Sequence, residues 1–232
     1  MTLIQNFNCG GAVTVMSCDT RQVLNNPIGP PIRLEDAESK VGRISPYCIF
    51  GGGGDNYATE RIKEELESLS LEFLSDFVKP LQNIINKLKG NVLFRQILQA
   101  EGSRVVQILI SGFNKDGSSG IITYNSGKKQ KVVYKKLEEY KEYPIVISPS
   151  YDENEAVFST LKMDVVDELS ELPSNYIGFM SRVQAAFNLN DEQTVSDTFC
   201  YCAIYRDPEG EYHCFEDKVG LREEEHLQLQ ND

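Results

Sequence analysis

The chain has 232 residues, 41% of them hydrophobic, which is enough to bury a full core without disulfides or a structural metal. Its 35 acidic against 23 basic residues leave a net charge of −12, which argues against a nucleic-acid partner. The N-terminus lacks a basic segment followed by an apolar one, and no apolar run approaches the length of a bilayer span, so a cytoplasmic location and no membrane partner are expected.

Residues 2–9 alternate loosely as a strand, Gly10-Gly11 marks a turn, and residues 12–18 form a second β-rich run ending in Asp19-Thr20-Arg21. The stretch 25–38, with Pro27, Pro30 and Pro31, reads as a long loop. Lys40-Val41-Gly42-Arg43-Ile44 then leads through Ser45-Pro46-Tyr47 into the apolar strand Cys48-Ile49-Phe50, which Gly51-Gly52-Gly53-Gly54 ends. In residues 56–78 the positions Ile62, Leu66, Leu69, Phe73 and Phe77 recur at spacings of three and four, which predicts one amphipathic helix broken by Pro80. A second helix is expected over 81–98, interrupted near Gly90. Strand signals follow at 105–113, 120–125 and 131–134, helical patterns at 153–169 and 174–188, and a closing hairpin at 199–205 and 211–216. That order suits two sheets between helical layers, folded as one domain over residues 1–220 with an acidic extension at 221–232.

The start of the chain carries the most chemical information. Removal of Met1, expected where a small residue follows it, would leave Thr2 with both a hydroxyl nucleophile and a free α-amine, so that one residue attacks and supplies its own base. The amine's reference pKa of about 7.7–8.0 keeps a useful fraction neutral near physiological pH. No histidine is then required, and the two present, His213 and His226, are remote from Thr2 in sequence.

Four positions in order carry a resemblance: Thr2 opening a hairpin, Asp19 closing it, Lys40 opening the next strand, and Gly54 fourteen residues after Lys40. In this the chain resembles proteasome β-subunits and the related bacterial two-ring protease subunits, which are N-terminal nucleophile hydrolases. The resemblance implies an α+β fold, a four-layer αββα sandwich of two antiparallel sheets between helices. It also implies a threonine peptidase assembled as a homo-oligomeric ring, acting on peptides or unfolded protein, with an ATP-dependent unfoldase as a partner and no cofactor or metal. Thr2 would be the nucleophile. Lys40, as an ammonium, would lower the basicity of its neighbours, Asp19 would hold Lys40, and the Gly54 amide would donate to the oxyanion. The family's Gly-Ser-Gly-Ser stretch corresponds here to Ile147-Ser148-Pro149-Ser150, which carries over Ser148. Its later Asp-x-x-Ser corresponds to Gln193-Thr194-Val195-Ser196, which carries over Ser196 with the acidic residue replaced, unless Asp191 serves in its place. Relative to the family hairpin one extra residue separates Thr2 from Asp19; a β-bulge at Cys9-Gly10-Gly11 could absorb it, and without that Thr2 would miss Lys40 and leave the site inactive.

Other readings stand beside this one. The fold could serve as a non-catalytic ring-forming scaffold, marked by a retained Met1, or as an amidase that cleaves small amides but not peptides. Cys200, Cys202 and His213-Cys214 on adjacent strands suggest zinc, but Cys-x-x-Cys knuckles on turns are absent and no metal is expected. The cysteines fall mostly in strands, as small core hydrophobes. The glycine run before a helix suggests a phosphate cradle, against which stand the missing Gly-Lys-Ser/Thr and the anionic Asp55.

Overall fold

The computed structural model describes residues 3–20, 23–24, 32–33, 40–98, 105–127, 131–147, 171–190 and 196–220. In chain order these form β1 (Ile4–Cys9), β2 (Val13–Asp19), the two-residue strands β3 (Val23–Leu24) and β4 (Ile32–Arg33), β5 (Val41–Ser45) and β6 (Cys48–Gly53). Next come α1 (Asn56–Glu67), α2 (Leu74–Lys89), α3 (Val92–Leu98), β7 (Gln107–Phe113), β8 (Ser119–Asn125), β9 (Val133–Lys136) and β10 (Glu142–Ile147). The helix α4 (Leu172–Asn190) and the hairpin β11 (Thr198–Arg206) and β12 (Tyr212–Gly220) complete them. The expected helix over 153–169 and the extension from 221 lie outside the described residues.

Two five-stranded antiparallel sheets form, one in the order β10-β1-β2-β11-β12 and the other β5-β6-β7-β8-β9. Alternation along each strand gives each sheet two apolar faces, so each needs two covers. Ile4, Met16, Cys18, Val41, Ile49, Leu109 and Cys202 fill the space between the sheets. The outer face of the second sheet packs Phe50, Ile108, Ile110 and Ile122 against α1 and α2. That of the first packs Phe7, Val13, Val15 and Ala203 against Tyr176, Phe179, Met180, Val183 and Phe187 of α4, one stripe at helical spacing. The result is the α+β, four-layer αββα sandwich. A polar link crosses the middle, where Ser111 of β7 donates to Asn8 Oδ1 of β1 at 2.8 Å and bonds Thr14 of β2.

Several local expectations are corrected. The helix expected over 56–78 is two helices: α1 stops at Glu67, and Ser70 adopts a left-handed φ of 48° in the turn before α2. Leu69, counted on the apolar stripe, is 48% exposed. The turn instead brings Phe73 onto the ring of Tyr47, stacked at 4.7 Å, and lets Glu72 C=O accept from Ser45 at 2.6 Å. Pro80 does not break a helix but sits inside α2. The break near Gly90 does occur, between α2 and α3. β10 gave no strand signal, because its Pro144 cannot donate to a ladder. It is tolerated because β10 is an edge strand, paired among the described residues only with β1. The bulge expected at Cys9-Gly10-Gly11 is absent. The β1–β2 register runs unbroken from Ile4 opposite Cys18 to Cys9 opposite Val13, and the extra residue stays in the three-residue loop, where Gly11 takes φ 81°.

Candidate active site

Asp19 is the last residue of β2 and is fully buried. Its Oδ1 accepts the Leu3 N–H at 2.8 Å, while Asp19 N–H returns a bond to Leu3 C=O at 3.1 Å. Since Leu3 follows Thr2 in the chain, the carboxylate is held at the first peptide link after Thr2. Lys40 Nζ stands 3.9 Å from the same Oδ1, with its side chain only 8% exposed. That separation is beyond hydrogen-bond length, so the attraction is Coulombic, in surroundings that screen it little. The backbone fixes Lys40 independently: Gly52 N–H donates to Lys40 C=O at 3.1 Å across the start of the β5–β6 ladder.

The glycine run positions the rest. A Cβ at Gly51 would stand 2.5 Å from Met16 Sδ, and one at Gly52 2.9 Å from Thr59 Cβ, so these glycines let β2 and α1 close on β6. Gly54, at the β6–α1 junction, has φ 91°, and a Cβ there would lie 1.8 Å from Val105 C=O. Only glycine fits, which is a structural demand at the position where the sequence places an oxyanion donor. The phosphate reading gains nothing, because Gly51 to Gly53 belong to a strand and Asp55 caps α1, accepting from Ala58 N–H at 3.0 Å.

Ser196 is fully buried and lies beside this group. Its Oγ accepts from Thr20 N–H at 3.0 Å, pairs with Thr20 Oγ1 at 3.1 Å and donates to Thr198 C=O. Thr20 Oγ1 meets Thr198 Oγ1 at 2.7 Å, and Gln184 of α4 donates to Ser196 C=O at 2.7 Å. The hydroxyl's bonding capacity is therefore committed to holding the chain just after Asp19. Thr20, Thr198 and Gln184 escaped the sequence reading; the only signal was Thr20's place directly after Asp19. Among the expected site residues, the structure thus brings together Asp19 and Lys40, ties Ser196 to them through Thr20, and puts Gly54 two residues beyond Gly52, the partner of Lys40. Thr2, Ser148 and Asp191 lie outside the described residues.

Cys18 is a nearby thiol that could compete as a nucleophile. Burial, and then the Asp19 charge, push it up to about 12, so it stays a protonated core thiol. Beside Lys40 a groove of about 280 Å³ runs along α1, lined by Phe50, Gly52, Asn56, Thr59, Glu60 and Lys63 among others.

No family model matches the chain, and no curated protein does either. Solved structures do match. An Anbu (Gly-1) mutant from Hyphomicrobium sp. strain MC1 superposes with a TM-score of 0.65 at 11% identity, covering 100% of this chain and 92% of the other. Anbu (ancestral beta-subunit) from Yersinia bercovieri gives a TM-score of 0.63 at 8% identity with the same coverage. These neighbours are proteasome-like in fold, and at such identities the likeness shows the fold alone. The expected place among proteasome β-subunits and bacterial two-ring protease subunits is corrected accordingly: four spaced residues resembled that family, but no sequence-level match supports membership, and the structural neighbours are Anbu proteins. What stands is an α+β sandwich with a proteasome-like fold. Among the described residues no helix is long and apolar enough to cross a membrane.

Proposed function

We propose that the chain is a threonine-type peptidase that cleaves peptide bonds through Thr2 once Met1 is removed. The observation that carries this reading is the Leu3 N–H to Asp19 bond of 2.8 Å with Lys40 Nζ 3.9 Å from the same oxygen, both side chains shielded from water. The fold is shared with proteasome-like proteins, which adds support.

In this reading the Thr2 hydroxyl attacks the scissile carbonyl while the α-amine takes its proton. The Lys40 ammonium favours the neutral amine and stabilises the developing alkoxide, and Asp19 fixes Lys40. The Gly54 amide faces the oxyanion. Collapse of the tetrahedral adduct breaks the C–N bond, the leaving amine takes the proton, and an ester to Thr2 remains. Water, activated by the same amine, releases the acid and restores the hydroxyl. The groove beside Lys40 receives a substrate side chain. Assembly into a homo-oligomeric ring in the cytoplasm, fed by an unfoldase, completes the proposal.

The test is intact mass together with a peptide boronate or epoxyketone. Protein purified from cells should lack Met1, and the warhead should add to Thr2. Thr2→Ala should abolish adduct and turnover together, and Lys40→Ala should cut the rate by about 100-fold or more with the fold intact. Turnover unchanged in both variants would sink the mechanism. The unbroken hairpin register, which does not absorb the extra residue as a bulge, favours one second reading, a non-catalytic scaffold. A retained Met1 and no adduct in a well-formed ring would establish it.

A further inference from the structure

The inner face of the β11–β12 hairpin brings two thiols and a carboxylate together at the rim of the sandwich. Cys202 lies directly across from Glu216, and Cys214 is two pairs away, on the same face, opposite Ile204. Cys202 belongs to the core between the sheets and Cys214 packs against its edge. Cys202 Sγ is 4.0 Å from Cys214 Sγ and donates to Glu216 Oε1 at 3.3 Å, and the three ligand atoms all lie within 4.8 Å of one another. With Zn–S bonds near 2.3 Å and Zn–O bonds near 2.1 Å, a tetrahedral centre sets its ligand atoms about 3.5–3.8 Å apart. The triangle already has those dimensions to within small side-chain movements.

Its surroundings fit an ion as well. From β5 in the facing sheet, Arg43 N–H donates to Glu216 Oε1 at 3.0 Å, and the Arg43 charge acts on the Cys214 thiol. Outer contacts of this kind orient ligands in known metal centres. Two thiolates and a carboxylate would bring three negative charges, which a divalent cation and the Arg43 guanidinium balance. Thiolate donors select a soft cation over magnesium or calcium. Cys202 is buried, Cys214 half-buried and Glu216 exposed on an edge strand, so a fourth position faces solvent. The expectation of no metal rested on missing Cys-x-x-Cys knuckles and on a different set of donors. His213 points to the opposite face, bonded to Asp207 at 2.8 Å, and Cys200 lies across from Cys18.

We propose that Cys202, Cys214 and Glu216 form a three-ligand site for Zn²⁺, with the fourth position open to water. Loading displaces the two thiol protons to solvent and oxidises nothing. The bound ion clamps β11 to β12 and, through the Glu216 contact with Arg43, the first sheet to β5, the strand that Lys40 precedes.

The test uses the full chain, stripped of metal and kept under a phosphine reductant so that no disulfide forms. Cobalt(II) should bind one equivalent, with a thiolate charge-transfer band and the visible bands of a tetrahedral centre, and Zn²⁺ should displace it. Cys214→Ser and Glu216→Gln, at positions open enough to keep the fold, should weaken binding by about 100-fold or more, beyond what losing an outer contact costs. Cys200→Ser should leave binding unchanged. Zn²⁺ should raise the Tm of the parent chain but not of Cys214→Ser. Absence of the charge-transfer band, its survival in Cys214→Ser, its loss in Cys200→Ser, or an equal rise in Tm in parent and variant would each overturn the proposal.

Discussion

Asp19 does two jobs with one carboxylate, accepting from Leu3 N–H and facing Lys40. Asp19→Ala should therefore leave a buried amide and a nearly buried ammonium without this partner, at a cost of about 3–5 kcal/mol. Asp19→Asn keeps an acceptor for Leu3 and should lose less; urea denaturation of the two variants ranks them. Gly54→Ala forces a side chain into φ 91° and against Val105 C=O, so it should destabilise by at least about 1–3 kcal/mol, read as a lower urea midpoint. Asp116, in the β7–β8 turn, has its carboxyl held well below the usual range, first by the Ser118 hydroxyl and then by Lys136. A depressed folded value means that its contribution is fully present above the unfolded value of about 3.9 and is lost as pH falls through the folded value. The stability difference between parent and Asp116→Asn should shrink over that acid range in pH-dependent thermal melts. A difference that stays constant would show that the carboxylate is not responsible.

At the scale of elements, α2 carries Pro80 in its interior, where the ring denies Asp76 C=O its helical donor. Pro80→Ala restores that donor and should stabilise the chain by about 1–3 kcal/mol, seen as a higher Tm. The groove along α1 presents Glu60, Glu64 and Glu67 against Lys63. Glu64 is paired with Arg61 at 3.2 Å and Glu67 with Lys63 at 3.8 Å, which leaves Glu60, bonded to Asn56 at 3.5 Å, as the carboxylate best placed to meet a ligand. Peptides with a basic side chain at that position should be preferred, and Glu60→Lys should shift the ratio of kcat/KM between basic and acidic peptides by about tenfold, the scale of one exposed charge pair.

For the whole molecule, a closed ring predicts a single large species in light scattering at micromolar concentration, and a strictly monomeric chain would count against both the peptidase and the scaffold. The layered architecture was legible in the residues. Period-two runs marked most of the strands that build both sheets, and the stripe in 174–188 marked α4, because burial of one face imposes a period on the chain. Local chemistry also showed in Asp19 and Lys40, which the resemblance paired and which stand 3.9 Å apart. The missed features share a cause. β10 exists because β1 offers it an edge, the turn between α1 and α2 because Phe73 finds Tyr47, and the cluster of Cys202, Cys214 and Glu216 because the β11–β12 register sets them side by side. Each depends on a partner remote in sequence or on a register that residue types do not encode. The sequence by itself determined which residues face inward and in what order the layers follow, since those are properties of periodicity and turn chemistry. The tertiary structure alone decided that Asp19 also takes the Leu3 N–H, that Ser196 serves as a brace for Thr20, and that the hairpin's extra residue goes to its loop, because contacts between distant segments are settled only when the sheets close on each other.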